Sequence, residues 1–255
     1  MYSVLDKDII KREIVPYLPL AKRGLQATVP LEEIVNAVLY KLKTGAQWHQ
    51  LPVKALFERG PLTWQSVYYH YCKWCTSDVL KKSWISILES NKSKLDLSSV
   101  DFDGSPTSAI RGGQEVAYQG RKKRKTTNAL YLSDRQGLPL AISNPVAGNH
   151  NDLYDIEVQF EIVTGTLEQA NIEVEGLFLN ADAGFDSKEF RLCCEKKEIN
   201  ANVCFNKRNG ATDREEYFDQ LLYKERYKIE RTNAWMDNFR SLLNRFDTNS
   251  KLGRI

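Results

Sequence analysis

No stretch of this sequence reaches the ~18–20 consecutive apolar residues that a membrane-spanning helix needs, so no membrane partner is expected. The first twenty residues, MYSVLDKDIIKREIVPYLPL, lack the basic start, apolar stretch and small-residue cleavage site of a secretory signal. Cysteine is scarce: Cys72, Cys75, Cys193, Cys194 and Cys204. An odd number at irregular spacing does not form a disulfide framework, and a reducing cytoplasm is the expected location. The Cys72-x-x-Cys75 pair lacks a second ligand pair at zinc-site spacing, so core or surface thiols are expected. Low-complexity segments and internal repeats are also missing. With 42% hydrophobic and 27% charged residues, extended disorder is excluded.

Net charge is +3, too small to imply a nucleic-acid partner by itself. Its distribution says more. Arg121, Lys122, Lys123, Arg124 and Lys125 are consecutive, and residues 224–254 carry eight Lys/Arg against four Asp/Glu. Clustered cations suit a phosphate backbone, through counterion release. Either run alone would be read as a solvated face.

The first ~90 residues have helical periodicity. Leu31, Ile34, Val35, Val38, Leu39 and Leu42 form one stripe, with Pro30 before it and Gly45 after it. Further helices are predicted from Thr63 and over 78–88. They make either a helix-turn-helix-like module or a plain bundle. From Ser98 the period becomes two: Val100 and Phe102 alternate with Asp101 and Asp103. Gly104-Ser105-Pro106 is expected to end that strand. A hairpin follows, with strands over 127–132 and 139–143. Beyond it come a helix over 153–167, a strand over 177–182 and a helix capped by Asp186 with Glu189. A strand over 201–205, a polar loop over 206–219 and one helix over 220–245 complete the chain. The expected architecture is α/β, a mixed sheet with flanking helices, preceded by a small helical domain. The division is placed at 1–95 and 96–255.

Three acids stand where metal chemistry would want them. Asp103 and Asp182 lie at strand ends, and Glu230 lies inside the last helix. Carboxylates are hard oxygen ligands. Two divalent ions about 3.5–4 Å apart can stabilise both the attacking and the leaving oxygen of a phosphoryl displacement. Taken singly, each acid could equally be a turn starter, a strand cap or a helix ion pair.

Their surroundings carry a resemblance. Asn180-Ala181-Asp182-Ala183-Gly184-Phe185-Asp186-Ser187 resembles the "aDxGYDS" segment of bacterial insertion-sequence DDE transposases. Tyr223, Arg226 and Glu230 match their Y-x2-R-x3-E signature. Residues 44–52, TGAQWHQLP, 134–139, DRQGLP, and 148–152, GNHND, resemble three further elements, in the same order. The resemblance implies an RNase-H-like catalytic domain and Mg²⁺, with Mn²⁺ as a substitute and two ions expected. It also implies terminal inverted repeats and target DNA as partners, and a homodimer on DNA. The protein would be bacterial and cytoplasmic, and nucleoid-associated when bound to DNA. On a regular helix Tyr223, Arg226 and Glu230 share a face with Tyr227 and Ala234. Tyr223 is then a supporting residue, and Arg226 a contact for the carboxylate or a phosphate.

Asp101 competes with Asp103, since both point the same way from the strand. The family places its acid directly before Gly-Ser/Thr, which favours Asp103 and leaves Asp101 a supporting role. His150 and Asp152 are further supporting candidates. Where the family often has a lysine seven residues past the glutamate, this chain has Asp237, so Arg231 or Arg240 would supply that DNA contact. Family members commonly continue into another apolar helix. A truncated or non-catalytic transposase-derived DNA-binding protein is therefore the alternative reading, and an RNase-H-like nuclease a third.

Overall fold

The computed structural model describes residues 2–19, 28–58, 60, 62–209 and 217–249. Five helices come first: α1 (Lys7–Glu13), α2 (Leu31–Thr44), α3 (Val53–Leu56), α4 (Trp64–Thr76) and α5 (Val79–Asn91). The predicted stripe of α2 is its buried face. Ile34, Val38 and Leu42 meet Val67, Tyr71 and Trp74 of α4 and Ile10 of α1 in one apolar cluster. Gly45, at φ 69°, ends α2 in the left-handed cap that favours glycine. Thr63 caps α4 by accepting from Ser66 N–H. Trp48 lies 5.1 and 5.0 Å from the rings of Tyr68 and Tyr71. Among the described residues no helix is long and apolar enough to cross a membrane.

The second half is built on one sheet: β1 (Val100–Ala109), β2 (Ala117–Gln119), β3 (Arg124–Asp134), β4 (Pro139–Ile142), β5 (Val146–Ala147), β6 (Phe178–Ala181), β7 (Asn200–Val203) and β8 (Asn244–Arg245). Its order is β2-β3-β1-β6-β7, with β4 and β5 also pairing with β3 and β8 with β1. β1 is antiparallel to β3 and parallel to β6, and β6 is parallel to β7. This is the RNase-H-like mixed sheet. β1 does not stop at Pro106, as expected from Gly104-Ser105-Pro106. It pairs with β3 continuously from Val100 to Ser108. From Asp103 to Thr107 its other side has neither β6 nor β8, an edge position where proline is tolerated.

Helices α6 (Ile156–Gln169) and α7 (Lys188–Lys196) cover the apolar face. Phe102 stacks on Phe190 at 5.5 Å and meets Phe160 and Phe185 at 5.7 and 5.0 Å. Helix α5 serves both clusters: Val79 and Leu80 pack with the helical bundle, and Leu88 belongs to the sheet core. Ser187 caps α7, accepting from Phe190 N–H, so the cap falls one residue after the expected Asp186. Asp186 is buried and ion-pairs with Arg191 at 3.0 Å.

The expected single helix over 220–245 is broken. It runs as α8 (Gln220–Lys224), a 3₁₀ segment Glu225–Lys228, α9 (Ile229–Asp237) and α10 (Arg240–Leu243). The cause is docking onto the 134–138 hairpin turn. Arg135 holds Glu225 at 2.7 Å, and Thr232 donates to the Gly137 carbonyl at 2.6 Å. A Cβ on Gly137, at φ 81°, would lie 2.6 Å from the Lys228 carbonyl oxygen. Bringing both ends of this stretch onto one turn tightens the winding between them. Part of the polar loop predicted over 206–219 lies outside the described residues, as does the tail beyond Asn249 with Lys251 and Arg254.

Replacing Phe102 by Ala removes the ring shared by both covering helices and leaves a cavity. Denaturant unfolding is expected to show a loss of about 3–5 kcal/mol. A change within the ordinary surface range would contradict this placement.

Candidate active site

The parallel register of β1 and β6 creates the site. Phe102 pairs with Ala181, so the next residues, Asp103 and Asp182, stand side by side as β6 ends. Both belong to the side-chain alternation opposite Phe102 and Ala181, away from the apolar core. Each carboxylate is steadied by a nearby amide: Gly104 N–H donates to Asp103 Oδ1 at 2.9 Å, and Gly184 N–H to Asp182 Oδ1 at 2.8 Å. Arg226 Nη2 lies 3.1 Å from Asp103 Oδ2. Burial raises the Asp103 pKa to about 6; Arg226 and the Gly104 amide oppose the rise, and Asp182 and Asp152 add to it. Arg226 Nε is buried without a hydrogen-bond partner among the described residues.

Asp101 does other work. It is only 2% exposed and accepts from Asn180 Nδ2 at 3.0 Å. Asn180 Oδ1 in turn accepts from Asn202 Nδ2 at 2.8 Å. Asn202 also exchanges hydrogen bonds with the Asp219 backbone, at 3.0 and 2.7 Å. Asp219 then caps α8 through Leu221 and Leu222 N–H. A buried polar rung thus crosses β1, β6 and β7 and fixes the start of the segment that carries Arg226. Sequence reasoning missed Asn180, Asn202 and Asp219. The available signal was an asparagine among the buried positions of each of two short strands, Asn180 in FLNA and Asn202 in NANV.

Asp152 approaches the pair from the loop before α6. Its carboxylate packs against Gly104, where an added Cβ would lie 2.8 Å from Asp152 Cγ. His150 stacks on Tyr154 with ring centroids 3.5 Å apart. Tyr223 is half-buried beside Phe218, and its pKa is raised by burial first, with Cys204 and Asp182 adding and Arg226 opposing. Arg121 to Lys125 are exposed where β2 turns into β3, and the Arg121 charge acts on Asp152. Arg231 donates to the Gln136 carbonyl at 3.1 Å. Arg240 is exposed beside Gly45 of the helical bundle.

Glu230 is exposed on α9, with Ile229 and Thr232 as the buried residues of that helix. Tyr227 is 66% exposed, while Arg226 points in, so the expected shared face does not form. A 3₁₀ segment advances about 120° per residue where an α-helix advances about 100°. Over four residues that difference turns Glu230 away from Arg226.

Two family models match the chain. One describes a putative transposase of the IS4/5 family over residues 12–84. The other describes a DDE superfamily endonuclease over residues 99–255. The chain belongs to the DDE endonuclease superfamily. Its function is that of a DNA transposase, an enzyme that cuts DNA with divalent metal. A pre-cleavage Mos1 transpososome is 11% identical, with 88% of this chain and 81% of that one covered and a TM-score of 0.31. A Mos1 transposase paired-end complex with left transposon end is 13% identical, with 88% and 79% covered and a TM-score of 0.30. Neither likeness is close enough to bear on this transposase's residues. No curated protein matches the chain.

The donor chemistry of Asp103 and Asp182 suits a hard divalent ion, which takes one or two carboxylates and fills the rest with water and phosphate. Repulsion from Asp182 and Asp152 raises the Asp103 pKa, and a cation would relieve it. Among the described residues no three His, Cys, Asp or Glu side chains stand close enough to enclose an ion.

Burial raises the Asp101 pKa to about 6, although Asn180 and Arg226 oppose it. A raised carboxylate pKa means stability is fullest below the unfolded value and is lost as pH rises through the folded one. In metal-free buffer the transposase should lose about 1–3 kcal/mol relative to Asp101→Asn between about pH 4 and about pH 7. Thermal or denaturant unfolding of both proteins across that range checks it. A pH-independent difference would count against a buried, ionising Asp101.

Proposed function

We propose that Asp103, Asp182 and Glu230 hold two Mg²⁺ ions, with Mn²⁺ as a substitute, and that the transposase uses them to cut and transfer the terminal inverted repeats of its element. Bound ions would supply an activated water or DNA 3′-hydroxyl and stabilise the attacking and leaving oxygens. The observation that carries the reading is the β1–β6 register, which sets Asp103 beside Asp182 within the matched endonuclease region.

The chain's own groups would do the positioning. Arg226 pairs with Asp103 and would be available for a bidentate phosphate contact once a cation took over that charge. Glu230 stands four residues beyond it, and rewinding the 225–228 segment as α-helix would turn it toward the pair. Arg121, Lys122, Lys123, Arg124 and Lys125 would hold the DNA backbone beside the acids, with Arg231 and Arg240 as further phosphate contacts. His150 would serve as a packing residue for the 148–152 loop, and Tyr223 as a wall beside Arg226. Residues 1–95 would recognise the element ends, and residues 96–255 would carry out the chemistry. The working form would be a homodimer on DNA, acting against target DNA in the bacterial cytoplasm.

The test is cleavage of a DNA fragment carrying the element ends, with binding measured in parallel. Asp103→Asn, Asp182→Asn and Glu230→Gln are each expected to lower the cleavage rate more than about a hundredfold, beyond the usual cost of losing an indirect metal contact, while still binding DNA. Undiminished cleavage by Glu230→Gln would remove that residue from the set. Changing Lys122 and Lys123 together to Ala should weaken binding and reduce the slope of log Kobs against log salt by about two. An unchanged slope would move the DNA path away from the β2–β3 turn.

A further inference from the structure

Asp152 is a carboxylate whose position the local structure does not otherwise explain. Its loop is anchored by other groups. Gly148 N–H donates to the Thr126 carbonyl at 3.0 Å, and His150 N–H to that of Ala147 at 3.0 Å. Asn128 Nδ2 donates to the His150 carbonyl at 3.3 Å, and the His150 ring stacks on Tyr154. The Asp152 carboxylate accepts no hydrogen bond among the described residues. A partly buried aspartate ordinarily earns its place by capping or pairing, and this one does neither.

Its location is specific. It fills the space that a side chain on residue 104 would occupy, one position beyond Asp103 on β1. Any residue but glycine there would push it away. Asp152 and Asp182 repel one another enough to raise the Asp152 pKa beyond what burial does, with Arg121 opposing. Asp103 feels Asp152 in the same way. Three carboxylates from three different segments therefore share one region, and the third is admitted by a missing side chain.

We propose that Asp152 is a positioning residue of the metal site, holding water molecules of an ion bound by Asp103 and Asp182, and that Gly104 is the residue that admits it. The inference rests on the reading of Asp103 and Asp182 as metal ligands. Magnesium-type ions give up their water reluctantly, so a carboxylate too far to bind directly can still orient the shell through hydrogen bonds. Groups in that role set metal affinity and geometry without touching the ion. The loop over 148–152 and the Asp103-Gly104 stretch of β1 then form one functional unit, although 49 positions separate Asp152 from Asp103 in the sequence.

The experiment is Mn²⁺ binding to the full chain without DNA, followed by the electron paramagnetic resonance signal of free Mn²⁺. Wild type, Asp182→Asn, Asp152→Asn, Gly104→Ala and the Gly104→Ala/Asp152→Asn double variant are compared. Asp182→Asn should abolish the site. Asp152→Asn, nearly the same shape as the native residue, should weaken binding about 10–100-fold, and the loss should persist at high salt, where a distant charge is screened. Gly104→Ala should weaken binding similarly, and the double variant should be no worse than either single one. Should Gly104→Ala fail to fold, Asp152→Asn decides alone. If Asp182→Asn abolishes binding and Asp152→Asn leaves it unchanged, the role of Asp152 is overturned and the metal reading stands. If Asp182→Asn leaves binding unchanged, the metal reading fails and this inference falls with it.

Discussion

The arrangement depends on a buried line of side-chain hydrogen bonds running across three neighbouring parallel strands, from Asp101 through Asn180 and Asn202 to the backbone of Asp219. Asp101, Asn180 and Asn202 are buried against the polar face of the sheet, where an unmet donor or acceptor would be costly. A one-residue slip of β6 against β1 would break the Asp101–Asn180 link and turn the strand's faces over. The rung therefore defends the register that sets Asp103 beside Asp182. It also ties that register to α8, because Asp219 is both the end of the rung and the helix cap.

A second constraint acts from the opposite side. The hairpin turn after β3 is organised by buried Asp134, which accepts from Gln136 and Leu138 N–H. That turn grips the last helical region through Arg135, Gly137 and the Gln136 carbonyl. Residues 219–232 are thus fixed at one end by the rung and at the other by the turn. Arg226 lies between the two anchors and reaches Asp103. The same span leaves Glu230 on the outer side, since the 3₁₀ winding that satisfies both anchors changes the angular phase beyond Arg226.

Much of this was legible in the sequence. The α2 stripe, its Gly45 stop, the start of α4 near Thr63, the alternation of Val100 to Asp103 and the hairpin around Asp134 are local signals, and they appear where local physics puts them. The failures share a different character. Nothing within Gly104-Ser105-Pro106 announces that β3 will run alongside and carry the strand on to Ala109. Nothing within 220–245 announces that a turn ninety residues earlier in the chain will break the helix; the register of that contact, Thr232 with Gly137, is a distance of 95 positions. The acids Asp103 and Asp182 were recognisable by their neighbours. The asparagines that align them were not, because a lone polar residue in a strand has no local signature of its partners.

The charges around Asp103 show how the site is balanced. Three carboxylates meet there, and the protein supplies Arg226 to one of them and the field of Arg121 to another. Among the described residues Asp182 accepts a hydrogen bond from the Gly184 backbone amide. Among the described residues the three carboxylates outnumber the two cations that act on them. On the proposed reading, a divalent cation held by Asp103 and Asp182 would offset the repulsion among the carboxylates. It would also free Arg226 from Asp103. The guanidinium would then remain next to the acids, where an incoming phosphate is the natural replacement. Metal loading and DNA docking would be coupled in this way through a single ion pair.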